Sequence, residues 1–265
     1  MSDIRIALLQ SDLQWENPKA NLKMFEKKIN GINENVDIVV LPEVFTTGFT
    51  MEPMGVAEPF KGDTFRWMEK TARERNIVLV GSKPVQENGK FYNRLIWMQP
   101  DGNYYKYDKR HLFSFAGETK NYSPGKERVI VEYKGWKFLL IICYDLRFPV
   151  WCKNNYNSEY GLEYDCIINI ANWPAPRRHV WDILLKARAI ENQSYMVGVN
   201  RIGEDGNGVK HRGDSAVICP KGEVLSTLKP DEEKTDIVNM SRKTLDEFRS
   251  KFRVWEDWDN FKIVL

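Results

Sequence analysis

A chain of 265 residues, 42% hydrophobic and 29% charged, is long enough to bury a large core and polar enough to dissolve. Its 39 basic and 37 acidic residues nearly cancel, and the clusters Lys27-Lys28, Lys109-Arg110 and Arg177-Arg178 are too brief for the basic stripe that nucleic acid demands, which argues against such a partner. Residues 1–10 do not look like a signal peptide, and the apolar run over 138–143 is far shorter than the roughly 20 residues of a membrane helix. Four cysteines and three histidines at no metal-ligand spacing suggest free thiols in a reducing cytoplasm and no bound metal.

In chain order, Ile4–Gln10 reads as a buried opening strand. Asn17 then Pro18 starts a helix, because Asn caps free amides and Pro fits the first turn. Leu22, Phe25, Ile29 and Ile32 continue it as one apolar stripe. Residues 37–41 are a second strand, stopped by Pro42. A helix begins near Asp63-Thr64 with Phe65, Met68 and Ala72 inward, and residues 77–81 are the next strand. Asn88-Gly89 and Asp101-Gly102 are turn dipeptides around residues 91–99, which predicts antiparallel hairpins. Residues 108–125 are polar with no period. Another hairpin spans 129–143 with its turn near Gly135. Then come a strand at 165–170, a helix at 177–193, the strand Tyr195–Asn200, a glycine-rich loop at 203–208, strands at 215–219 and 223–227, and the helix Arg242–Lys251.

Two βα stretches thus bracket a hairpin-rich middle with no linker and no repeat. Residues 1–265 read as one α/β domain with mixed sheets and helices outside. The tail over 251–265, with Trp255, Trp258 and Phe261, needs a surface to cover and is expected at a subunit contact.

Chemistry tends to sit where a rigid strand hands over to a loop. Leu41-Pro-Glu43 ends one strand with a carboxylate, Ile142-Cys143-Tyr-Asp another with a thiol, and Tyr107-Asp-Lys109-Arg-His sets an ammonium at the head of the long loop. Taken singly, each has a plain structural explanation: a small core thiol, a turn glutamate, a solvated lysine. Together, Leu41-Pro-Glu43-Val-Phe-Thr-Thr-Gly48-Phe, Tyr107-Asp-Lys109-Arg-His-Leu and Ile142-Cys143-Tyr-Asp-Leu-Arg-Phe-Pro resemble the signature blocks of the nitrilase superfamily of carbon–nitrogen hydrolases. Asn172-Trp-Pro and the region of Gly213-Asp-Ser215 look like family elements too. Within the family, Cys-Tyr-Asp-Leu-Arg-Phe-Pro is most similar to the omega-amidase branch, which hydrolyses side-chain amides of 2-oxo acids.

That resemblance implies a four-layer α-β-β-α sandwich, a homodimer or higher homo-oligomer, no cofactor, and a Glu–Lys–Cys triad acting on a small-molecule amide. Cys143 is then the nucleophile and Glu43 its base, since an ordinary thiol is only a few per cent thiolate at neutral pH. Lys109 and the backbone N–H of Tyr144 are the candidates to stabilise the oxyanion. Glu118 resembles a second glutamate beside the triad, set to orient Lys109 or the substrate amide. Arg147 has two readings: it grips a substrate carboxylate, or it pairs with Asp145 or another acid to fix its loop. Trp173 is a candidate pocket wall, and Arg177 a second carboxylate ligand.

The implied substrate is an amide of the 2-oxoglutaramate or 2-oxosuccinamate type. An N-carbamoyl amino acid, a nitrile or a modified peptide would keep the family and change the substrate. A non-catalytic thiol sensor or binding module on the same scaffold is a reading of another class. His111, His179 and His211 raise a Cys–His dyad, but none lies in a recognisable partner block.

Overall fold

The structure is a computed structural model that describes residues 2–264. Strict alternation along the first strands sets the layering. Ile4, Ile6, Leu8, Ile38, Val40, Val78 and Val80 point into one core, while Ala7, Leu9, Val39 and Leu79 point into another. The second core is completed by Phe25 and Ile29 of the helix Pro18–Asn30 and by Phe65, Met68 and Ala72 of the helix Asp63–Arg75. Each of the larger of these side chains, fully buried, contributes about 1.5–3 kcal/mol.

The first sheet orders its main strands as Lys234–Met240, Ile4–Gln10, Ile38–Val40, Val78–Glu87, Lys90–Met98 and Tyr104–Asp108. Its centre is parallel and its flanks antiparallel. The second sheet runs Ala216–Ile218, Tyr195–Asn200, Cys166–Ala171, Trp136–Ile142, Val129–Tyr133, again parallel at its centre. Their inner faces meet, as Trp97 of the first against Phe138 of the second shows, with ring centroids 5.1 Å apart. The fourth layer is the helix Arg178–Asn192. Its Trp181 and Leu185 approach Gly198 so closely that a Cβ there would lie 2.8 Å from both. The result is the α-β-β-α sandwich with mixed sheets.

Turn chemistry fixes the hairpins where the sequence placed them. Asn88 and Gly89, and likewise Lys134 and Gly135, are paired left-handed residues as a tight hairpin requires. Two expectations need correction. Residues 223–227 do not form a strand; only Val224 bridges to Ile218. The strand that was not foreseen is Lys234–Met240, which pairs with the whole of Ile4–Gln10. It lies at the sheet edge with only Asp236, Val238 and Met240 buried, so its sequence carries a weak apolar signal.

The C-terminal tail lies on its own domain. Trp255 packs 6.0 Å from Tyr156, Trp258 lies 3.3 Å beneath the Lys153 ammonium, and Ile263 meets the core, while Phe252 and Val264 stay exposed. Among the described residues no helix is long and apolar enough to cross a membrane.

Candidate active site

Four strand ends converge. Ile38–Val40 hands over to Leu41, Pro42 and Glu43; Tyr104–Asp108 to Lys109; Trp136–Ile142 to Cys143; and Cys166–Ala171 to Asn172. Parallel pairing of the last two strands sets their ends side by side. The Glu43 carboxylate is fully buried. Its Oε1 accepts from Lys109 Nζ at 2.9 Å and from Asn93 Nδ2 at 2.7 Å, and its Oε2 from the Asn172 backbone N–H at 2.7 Å. Lys109 Nζ also donates to Glu118 at 3.0 Å, and Glu118 accepts from the Phe113 N–H. The Phe49 ring centroid lies 4.7 Å from the same ammonium. A buried cation is tolerable only with partners of this kind.

Cys143 has a left-handed backbone, φ +44, at the point where its strand ends and a short 3₁₀ turn over Cys143–Arg147 begins. Holding a non-glycine residue there costs on the order of 1–3 kcal/mol, so the surrounding structure must over-determine it. Asp145 does much of that. Its buried carboxylate accepts from the Ile142 N–H at 2.9 Å, the Tyr107 hydroxyl at 2.7 Å and the His111 N–H at 2.9 Å. The thiol's turn and the lysine's loop are therefore tied to one side chain.

Electrostatics inside the cluster are strongly coupled. Burial alone would lower the Lys109 pKa, but the charges of Glu118 and Glu43, with Cys143, outweigh it and the net shift is upward. Burial pushes the Cys143 thiol up, the Glu43 charge adds to that, and Lys109 and the Asn172 N–H oppose it without prevailing. Burial also raises Glu118, against the pull of Lys109. The resting state is thus a thiol beside a cation, and attack requires a base that takes the proton as the new bond forms.

Cys143 and Lys109 open into a cavity of about 340 Å³. Tyr144, Arg147, Trp173 and Arg177 also line it, as do Phe49, Phe113 and, from the hairpin formed by Ile202–Glu204 and Lys210–Arg212, Asp205, Asn207, Val209 and His211. Arg147 stacks over Trp173 at 5.3 Å and Arg177 over Phe113 at 5.1 Å. Among the described residues neither guanidinium has a carboxylate partner. Asp145 is engaged with Tyr107, Ile142 and His111, so the pairing of Arg147 with Asp145 allowed by the sequence does not occur. Arg177 is half-buried in the cavity wall, not on the open surface, and its neighbour Arg178 instead holds Asp214 at 2.7 Å.

The histidines do not build a dyad around the thiol. His111 stacks on Phe148 with centroids 3.6 Å apart and meets Asp145, and His179 is exposed. The charges that bear most on Cys143 are those of Glu43, Lys109 and Glu118. Sequence reasoning missed Asn93 and the purpose of Asn172. A lone Asn inside the hairpin strand Lys90–Met98 was a signal, since an unpartnered amide is not buried without reason. The contribution of residues 205–211 to the cavity had no local signal.

A four-layer sandwich whose strand ends bury a carboxylate, an ammonium and a thiol together defines a cysteine-dependent hydrolase of carbon–nitrogen bonds. The chain belongs to the carbon-nitrogen hydrolase family, whose model matches residues 5–250. It is 43% identical over 263 residues to the omega-amidase YafV of Escherichia coli K12, covering 99% of this chain and 100% of that one. It is 33% identical over 224 residues to the 2-oxoglutaramate amidase of Bacillus subtilis, covering 83% and 85%. Among solved structures it matches XC1258 of Xanthomonas campestris, a CN-hydrolase superfamily protein with an arsenic adduct in its active site. That match has a TM-score of 0.96 at 38% identity over the whole of both chains.

Proposed function

We propose that the protein is an omega-amidase, hydrolysing the terminal amide of a small 2-oxo dicarboxylic acid monoamide, of the 2-oxoglutaramate or 2-oxosuccinamate type, to acid and ammonia. The observation that carries this reading is one cavity with Cys143 and Lys109 among its walls and two guanidiniums that have no acid partner among the described residues. An amide that also bears a carboxylate matches both features.

On this reading Glu43 takes the thiol proton as Cys143 Sγ attacks the amide carbon, and the carbonyl electron pair moves onto oxygen. Lys109 and the Tyr144 N–H stabilise that oxyanion; a single donor of this kind contributes about 3 kcal/mol. The tetrahedral intermediate collapses, the C–N bond breaks, and Glu43 gives its proton to the leaving ammonia. Glu43 then deprotonates a water, which attacks the thioester. The C–S bond breaks, the proton returns to sulfur and the acid departs. Glu118 keeps Lys109 fixed, as their 3.0 Å contact allows. Arg147 and Arg177 bind the substrate carboxylate, and Trp173 forms the wall beneath Arg147. Four free cysteines suit a reducing cytoplasm, and the exposed Phe252 and Val264 suit a contact within a homodimer.

Mass spectrometry of the protein mixed with 2-oxoglutaramate tests the assignment. An acyl adduct on Cys143 with release of ammonia is expected, and Cys143→Ala abolishes both. Faster turnover of a nitrile or an N-carbamoyl amino acid would move the substrate class. No acylation by any amide, with ready oxidation of Cys143 by peroxide, would replace the enzyme reading with a thiol sensor.

A further inference from the structure

A 2-oxo acid amide presents three groups to its site: the amide, the carboxylate, and an uncharged oxygen on the carbon next to the carboxylate. The catalytic cluster accounts for the first and the two arginines for the second. The third needs a neutral donor beside the arginines, since a keto oxygen only accepts hydrogen bonds. Few uncharged polar side chains line the cavity. Asn172 is committed to Glu43, donating from its backbone and its side chain, Asn207 is exposed on the hairpin, and Tyr144, next to the nucleophile, has its ring packed edge-on against Phe113 and Phe148.

His211 is different. It is 4% exposed, it lines the cavity, and its backbone bridges to Pro174, in the segment that carries Trp173 and Arg177. It therefore shares a cavity wall with the segment that runs from Trp173 to Arg177. Its Nδ1 is sealed from solvent and has no hydrogen-bond partner among the described residues, which leaves Nε2 as the ring nitrogen that an atom in the cavity can meet.

We propose that His211 is the residue that recognises the 2-oxo group, donating a ring N–H to that oxygen and so selecting 2-oxo amides over their unsubstituted counterparts. This rests on the omega-amidase reading above and deepens it. Burial, and after it the charge of Arg201, push the imidazole down to about 4, while Asp205 and the carbonyls of Val209 and Gly203 pull weakly the other way. The ring is thus neutral at physiological pH and adds no third cation to the two guanidiniums.

The test compares kcat/KM for 2-oxoglutaramate with that for glutaric acid monoamide, which lacks only the 2-oxo oxygen. Both are assayed on the same preparation, so partial loss of folded protein cancels from the ratio. The wild-type ratio is expected to be at least about tenfold in favour of the 2-oxo amide, because a site built to bond a polar group discriminates strongly against an analogue lacking it. In His211→Leu the ratio collapses towards one, while turnover of glutaric acid monoamide is retained; His211→Asn, which keeps a donor, holds part of the preference. His211→Ala replaces the leucine variant if that does not fold. A ratio unchanged within twofold in the leucine or alanine variant overturns the inference, as does a wild-type ratio near one. Parallel loss on both substrates assigns His211 a purely structural role and also overturns it. If the wild-type protein cleaves neither compound, it is the omega-amidase reading itself that fails.

Discussion

The two ends of the cavity are built on opposite terms. At the inner end Glu43, Lys109 and Glu118 are buried and every charge has a partner within 3.0 Å inside the protein. At the outer end Arg147 and Arg177 are half-buried and, among the described residues, without acid partners, and the adjoining hairpin is largely exposed. A satisfied network holds its own geometry whether or not a ligand is present. Unpartnered cations keep their interaction free energy in reserve for whatever anion arrives. Rate should therefore depend on the inner end and affinity on the outer.

The strongest way to break that division is at the thiol. Cys143→Ala is expected to lower kcat by on the order of 10⁵-fold or more while substrate still binds, seen as ligand-dependent thermal stabilisation without turnover. Lys109→Met should cost about 10²–10³ in kcat and about 3–5 kcal/mol of stability, because Glu43 and Glu118 would then share a buried site without a cation. Adding Glu118→Gln should restore much of the denaturant midpoint but not the rate. Rescue of both would show that Lys109 acts only as a structural counter-charge.

At the outer end, Arg147→Met should raise KM by roughly 10–100-fold with kcat nearly unchanged, and Arg177→Met by less. A comparable fall in kcat would blur the comparison, placing Arg147 among the groups that act on the reacting bond. The pH response sharpens it in another way. Because the Cys143 pKa lies above the ordinary thiol value of 9.0, the thiolate forms only as pH rises further, so alkylation by iodoacetamide should keep accelerating beyond pH 9. A plateau at pH 7 would reveal a thiolate already formed at rest. The smallest effect expected is in stability. Cys143→Gly removes the left-handed strain and should gain about 1 kcal/mol or less, read as a slightly raised Tm in an inactive protein.

How much of this was legible in the sequence follows from where each signal lives. Glu43, Lys109 and Cys143 were visible because apolar strands end in polar residues, a local pattern, and because three such patterns occur in the family's order. The helices Asp63–Arg75 and Arg242–Lys251 were likewise readable, from an apolar stripe or from their boundaries. His211 and the hairpin around it were not, because their neighbours in space, Pro174 and Trp173, lie more than thirty positions away. Lys234–Met240 escaped notice because an edge strand with one open face needs few apolar residues. The fate of Asp145 could not be foreseen either. Its nearest cation in sequence, Arg147, turned out to be the wrong partner; the right ones are the Ile142 amide just before its own turn, Tyr107 at the edge of the other sheet and His111 in the loop that follows.

That carboxylate has one more consequence. Since Asp145 grips the Ile142 amide on one side and the Tyr107 hydroxyl and His111 amide on the other, thermal displacements of the nucleophile turn and the lysine loop are coupled through a common pin. The spacing of thiol and ammonium is thereby set by a shared hydrogen-bonded anchor as well as by the packing of the two sheets.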